Sequence, residues 1–460
     1  MKTTTFTRRG FLRTGTAGML TIGLWDWADL RAAEPTAAKP DGTPPARPQT
    51  ARAVKPQAES QAKAKSVIFL WMNGGPPHLD TFDPKPSAGE AYTGPLRKPL
   101  ETNVKGIQIA ETLPLLAKQA DKYSILRSMT HGNNGHETAA YIMLTGAPLG
   151  GELVYPTLGA VVALKKPYSG ALPPYITLTN PVGRVSEAGF LGNNYKSYVT
   201  GGDPNSKDFR VQGLVPARGM TERQLQARRD LVKSLDTLAA DMEQDASFRA
   251  VGELQEKAYG LILGGARRAF DLSEEKDDLR EKYGRHHFGQ SCLLARRLVQ
   301  NGVPFVAINM GGWDTHRDNF GALKRLCPML DSGFATLLGD LAEHSLLEST
   351  IVVWCGEFGR TPKVAVEPPW FGGRHHYGPV FSAVVAGGGF QGGKVVGASD
   401  SRGEQVRQRP IYPWDLSASM YKLLGIDPLG RLPHPQGCVA YVTPLASGDV
   451  PSGGLLTEIM

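Results

Sequence analysis

Ile351-Val352-Val353-Trp354-Cys355-Gly356-Glu357-Phe358-Gly359-Arg360-Thr361-Pro362 is the stretch that decides the fold. Its opening is a β-branched apolar run halted by glycine, the mark of a short strand buried on both faces. A loop follows, ending Gly372-Gly373-Arg374-His375-His376-Tyr377-Gly378, and then a second apolar run, Val380 to Ala386, before three glycines. Two core-strand signals thus flank a loop rich in chemistry. In an open α/β sheet, ligands bind beyond the carboxyl ends of the strands. Glu357, Arg360, Arg374, His375 and His376 are therefore candidate site residues rather than charges on a surface loop.

The same arrangement recurs upstream. Val303 to Asn309 reads as a core strand and delivers Gly311-Gly312-Trp313-Asp314-Thr315-His316. An acid and a histidine two apart on a loop can aim both side chains at one ion, and oxygen with imidazole nitrogen suits Zn, Mn or Fe. Val67 to Met72 reads as a central parallel strand emptying into Asn73-Gly74-Gly75-Pro76-Pro77-His78-Leu79-Asp80-Thr81-Phe82-Asp83. The two glycines let backbone approach a ligand closely. His78, Asp80 and Asp83 can serve there as ligands or as groups that fix the loop.

Tyr123–Leu126 and Tyr175–Leu178 are further strand candidates, and Lys394–Val396 a short edge strand. Helices are expected over Leu113–Ala120, from near His136 to Leu144, from His286 to Leu298, over Asn319–His344 as a crossover, and over Pro413–Leu424. A helix opening at His136 presents free N–H groups that suit an anion, while Asn134 can equally act as its cap. Residues 221–283 are charge-rich, free of proline and helical in period, which reads as an inserted helical hairpin with a solvated face.

The chain of 460 residues carries a net charge of +7, but residues 1–65 hold 11 Lys and Arg against 5 Asp and Glu, and the rest 40 against 39. The basic surplus belongs to the N-terminal tail, so the body gives no case for nucleic-acid binding. Thr7-Arg8-Arg9-Gly10-Phe11-Leu12-Arg13, a short apolar segment and Leu30-Arg31-Ala32-Ala33-Glu34 read as a twin-arginine signal over residues 1–33. The apolar segment is too short for a stable span. Residues 34–65 read as a disordered linker, and residues 66–460 as the folded domain. Cys292, Cys327, Cys355 and Cys438 show no CxxC pair, and read as buried thiols or at most one or two disulfides.

Taken together, Asn73-Gly-Gly-Pro through Asp80-Thr-Phe-Asp-Pro-Lys, His136 to Gly146, Gly312-Trp-Asp-Thr-His, Gly356-Glu-Phe-Gly-Arg-Thr-Pro and Gly373-Arg-His-His resemble the uncharacterised-domain family 1501 (DUF 1501). That family is similar to the alkaline phosphatase and sulfatase superfamily. The resemblance implies an α/β fold, an alkaline-phosphatase-like three-layer sandwich with a central mostly parallel sheet, here with the helical hairpin inserted. It also implies one or two divalent ions, Zn or Mn, at the strand ends. By position, Asn73 falls where the superfamily has its first acidic ligand, and Asp314 and His316 near its Asp/His pair. Glu357 and Phe358 fall on its Asp-His step, so the acid is kept and the histidine lost. His375 or His376 falls on its last histidine ligand. Its nucleophile lies ten residues before the glycine matching Gly146, which here is His136.

Several functions are compatible with these substitutions. The first is an exported metal-dependent hydrolase of phosphate or sulfate esters, acting on a small molecule or polysaccharide in the periplasm or cell envelope. Asp314, His316, Glu357, His375 or His376, and Asn73 would hold metal; Arg360, Arg374, His78 and Asp80 would meet the substrate. His136 can attack phosphorus, ligate the metal and leave water as nucleophile, or mark a nucleophile that is gone. Thr130 and Thr138 are nearby hydroxyls. The second is a catalytically silent envelope binding protein on a hydrolase-derived fold. A phosphoryl- or sulfuryl-transferase or mutase is the third. Export implies the twin-arginine translocase as a transient partner.

Overall fold

Strand β1 (Ser66–Met72) has every residue buried, and its side chains alternate between two separate cores. Ile68, Leu70 and Met72 enter one, and Val67, Phe69 and Trp71 the other. A strand with no polar face needs cover on both sides, and each such aliphatic side chain contributes about 1.5–3 kcal/mol on burial. The computed structural model describes residues 62–150, 153–181, 184, 187–211, five positions between 223 and 230, and 265–460. The signal expected over residues 1–33, nearly all of the linker, and most of the insertion at 221–283 lie outside the described residues. Of the insertion, the end is described and closes in helix α3 (Asp277–Tyr283).

Around β1 the sheet adds β2 (Tyr123–Met129), β3 (Tyr175–Leu178), β4 (Tyr198–Val199), β5 (Phe305–Met310) and β6 (Thr350–Cys355). A small two-stranded ribbon, β7 (Gly359–Arg360) with β8 (His376–Tyr377), stands apart, and β9 (Phe381–Ala386) and β10 (Lys394–Val396) complete the main sheet. The order across the eight strands is β10-β2-β9-β6-β1-β5-β3-β4. β1 pairs in parallel with both β5 and β6, Leu70 lying between Ile308 and Trp354. Only β9 is reversed, antiparallel to β2 on one side and β6 on the other. The sheet is therefore mostly parallel, as expected.

Helices cover both faces. α4 (His287–Gln300) and α5 (Asn319–Glu343) bury their apolar stripes in the core that takes Ile68 and Leu70. α1 (His136–Thr145), α2 (Leu158–Lys165) and α6 (Pro413–Leu423) pack on the other face with Val67 and Phe69. Asp318 caps α5 by accepting from the Gly321 N–H at 3.1 Å, and Gly146 ends α1 in the left-handed conformation. The result is a three-layer α/β/α sandwich. Among the described residues no helix is long and apolar enough to cross a membrane. All four cysteines are free thiols, so the disulfide alternative falls away.

Candidate metal centre

Topology gathers the loops of interest at one edge. β1 empties into Asn73-Gly74, β2 into the segment before α1, β5 into Gly311–His316, and β6 into Gly356-Glu357. Because β9 runs backwards, the loop that enters it arrives at this same edge, carrying His375 and His376. The ribbon fixes its position by pairing His376 with Arg360 and Tyr377 with Gly359. Gly74 is required where β1 ends. Its φ is +112°, and a Cβ there would lie 2.3 Å from the Asp314 backbone nitrogen.

His136, Asp314 and His376 meet at this edge. One ligand atom from each lies within 4.8 Å of the other two. His136 Nε2 is 3.4 Å from Asp314 Oδ2, and His376 Nε2 is 3.2 Å from Asp314 Oδ1. His316 joins from the β5 loop, its Nε2 3.1 Å from Asp314 Oδ1 and 2.8 Å from His376 Nε2. Phe358 forms the wall: its ring centre is 5.1 Å from that of His136 and 4.6 Å from that of His376. Trp370 edges onto His375 at 4.6 Å on the outer side.

Other expected site residues stand behind this group. Glu357 is 1 % exposed; its Oε1 is 2.7 Å from His136 Nδ1, and both its oxygens accept from the Gly74 N–H. It holds a histidine in place of reaching the open edge. His375 likewise sits behind His316, Nδ1 to Nδ1 at 2.8 Å. Asn73 is at the edge, its backbone tying β1 to Met310 and Trp313.

The residues expected to meet the substrate are buried and paired. Arg374 is 1 % exposed, its guanidinium in a two-point pair with Asp80, Nε to Oδ2 and Nη2 to Oδ1 both at 2.8 Å. Its remaining bonds go to the carbonyls of Tyr92, Thr361 and Pro362. Asp80 also accepts from Asn319 at 2.8 Å. His78 is buried and donates to the Gly403 carbonyl at 2.9 Å. These three brace the loops and do not reach the open edge. Arg360 is buried too, bonded to the Gly74, Gly75 and Arg374 carbonyls and, at 2.5 Å, to Asp314 Oδ1. It orients a carboxylate and is not exposed to a reacting group.

Electrostatics suit a cation. Burial raises the Asp314 pKa, but the hydrogen bond and charge of Arg360, with the nearby histidines, outweigh it and hold the carboxyl at about 2. Burial, helped by Arg360 and the neighbouring imidazoles, lowers His316 to about 4, and burial also lowers His376. His136 shifts the other way, raised by its hydrogen bond to Glu357 and the charges of Glu357 and Asp314. At neutral pH the edge therefore offers an ionised carboxylate and imidazole lone pairs. An ion would replace a proton at His136 Nε2. The donor set fits a divalent transition metal.

Sequence reading missed His131 and the Asn134 carbonyl. His131 Nδ1 accepts from the Asn133 N–H at 3.1 Å, so its Nε2 donates to the Glu357 carbonyl at 2.7 Å. The clustering of His131, Asn133, Asn134 and His136 between a strand and a helix was the available signal.

A mostly parallel three-layer α/β sandwich with a His/Asp cluster at its strand ends is the class of protein defined by this geometry. The chain belongs to the family described as "Protein of unknown function (DUF1501)", matching it over residues 64–443. No curated protein matches the sequence. Among solved structures it is similar to the PsFucS1 sulfatase from Pseudoalteromonas sp., at 14 % identity over 80 % of this chain and 68 % of that one, TM-score 0.33. It is also similar to the alkaline phosphatase from the Antarctic bacterium TAB5, at 12 % identity over 72 % and 94 %, TM-score 0.34. A third is the C-terminal periplasmic domain of EcEptC from Escherichia coli in complex with Zn, at 10 % identity over 85 % and 96 %, TM-score 0.34. Likenesses of this size leave the chemistry to be read from the site's own atoms.

Proposed function

We propose that this chain is a metal-dependent hydrolase of phosphate or sulfate esters, working in the periplasm or cell envelope after twin-arginine export. The observation that carries the reading is the convergence of His136, Asp314 and His376 at the carboxyl edge of the sheet. A divalent ion held there, Zn or Mn, supplies Lewis-acid polarisation of an ester oxygen. The chain's own residues do the rest. Asp314 is kept ionised and aimed by Arg360. Glu357 holds the Nδ1 proton of His136. His136 opens α1, so the unsatisfied N–H groups of that helix's first turn lie beside the cluster, on the side that favours an anion. Phe358 and Trp370 flank the imidazoles with apolar surface.

One observation favours the silent binding protein instead. The residue at the expected nucleophile position is an imidazole, and both arginines are committed to carbonyls and carboxylates. Elemental analysis of the exported protein, paired with turnover of aryl phosphate and aryl sulfate, separates the two. Metal at a whole-number ratio with turnover of either ester supports the hydrolase. Metal without turnover of a broad ester panel supports the binding protein.

A further inference from the structure

We propose that the chain holds a single ion with four of its own atoms, His136 Nε2, His316 Nε2, His376 Nε2 and an Asp314 carboxylate oxygen, and that the residue at the expected nucleophile position is thus a ligand. The proposal rests on the metal half of the reading above and is independent of the ester half. The argument starts from what stands behind each ring. His376 Nδ1 is 2.8 Å from the Asn134 carbonyl, which only accepts, so the proton is on Nδ1 and Nε2 presents a lone pair. His136 Nδ1 is 2.7 Å from the Glu357 carboxylate, which sets the same tautomer. His316 Nδ1 faces His375 Nδ1 at 2.8 Å.

Three partners of different chemistry, from three loops, each engage Nδ1. All three rings therefore point Nε2 forward, toward Asp314. A ring nitrogen bonded from behind, with the other turned to a shared carboxylate, is how metal-ligating histidines are oriented. Among solvated histidines nothing would select one nitrogen in every case. The Nε2 atoms of His316 and His376 lie 2.8 Å apart and within 3.2 Å of Asp314 Oδ1, close enough for one ion or one shared proton to bridge them. Three imidazoles and one carboxylate suit Zn, Mn or Fe and not Mg or Ca.

The count is one ion because the acid a second would need is spent. Glu357 is buried with the Gly74 N–H on both oxygens and His136 on one. Its neighbour Phe358 offers no donor atom. Glu357, His375 and the Asn134 carbonyl are positioning groups.

The test is titration of the metal-free full chain with Zn(II), and with Co(II) followed by its visible absorption. The expected result is one ion per chain, with Zn affinity at least about 100-fold weaker in His136→Ala and roughly 10–100-fold weaker in Glu357→Gln and His375→Phe. The Co(II) bands should shift in all three. Glu357→Gln keeps an acceptor for the Gly74 N–H, so it carries the test if His136→Ala does not fold. His136→Ala or Glu357→Gln binding Zn within twofold of the parent with unchanged Co(II) bands would overturn the ligand set, as would two ions per chain. Zn loss in the variants without ester turnover by the parent removes the hydrolase and leaves the ligand set. Turnover with His136→Ala still fully metallated does the reverse.

Discussion

Replacing Asp80 by Asn separates a brace from a substrate contact. The Asp80–Arg374 pair is buried on both sides, at 1 % exposure each, with two parallel hydrogen bonds of 2.8 Å. Asparagine keeps one acceptor oxygen, which can still take the Asn319 amide. It leaves the guanidinium charge buried against three carbonyls with no counter-charge. Breaking a buried pair from one side costs about 3–5 kcal/mol. Unfolding entropy near 2.1 cal/mol/K per residue gives about 0.8 kcal/mol/K for roughly 400 cooperative residues, so the midpoint falls by about 4–6 °C. Calorimetry of the metal-free chain reads this directly, and Zn titration of the same variant at 20 °C should stay close to the parent. If Asp80 and Arg374 instead read the substrate, Asp80→Asn melts with the parent and changes KM; that outcome refutes the reasoning from burial.

Gly74→Ala should cost roughly 2–6 kcal/mol, combining left-handed strain with a clash of about 1–3 kcal/mol each, and a urea melt measures it. Arg360→Lys replaces a planar fork that spans two glycine carbonyls and Asp314 with a point charge; Zn affinity should fall about 10–100-fold by calorimetric titration. His78 gives a pH signature, because burial lowers its pKa and its Nδ1 has no partner among the described residues. A histidine depressed on folding stabilises fully above its unfolded value near 6.5 and loses that contribution as pH falls through the folded value. Between the unfolded and the folded value each pH unit costs about 1.4 kcal/mol, and below the folded value the loss levels off. Melting curves from pH 7 to 4 should steepen for the parent and flatten for His78→Gln.

Much of the sheet is legible in sequence because a strand buried on both faces leaves an unbroken apolar run. Tyr175–Leu178 and Lys394–Val396 appear with the bounds expected for them. β4 is two residues long and carries no pattern, and α2 hides in an apolar segment. Direction is not encoded either: Phe381–Ala386 reads alike both ways, and only pairing with β2 and β6 shows it reversed. At the site, motif order tells which loops gather at the edge but not which of their side chains face it and which stay buried behind. Glu357 stands behind His136 with its carboxylate taken up by the Gly74 N–H, and backbone donors leave no trace in composition. Arg374 and Asp80 are 294 positions apart, too far for spacing to pair them.

The reversed strand has one more consequence, for the order in which the protein can be made. Its approach loop supplies His376, while Asp314 and His316 also come from the last third of the chain and His136 from the first. A growing polypeptide has no complete His/Asp cluster until β9 has been synthesised and slotted between β2 and β6. An ion held by these residues would therefore not template folding from the early segments. It would be acquired by a finished sheet, in whichever compartment that sheet is finished, and the metal supply of that compartment would decide which ion is bound.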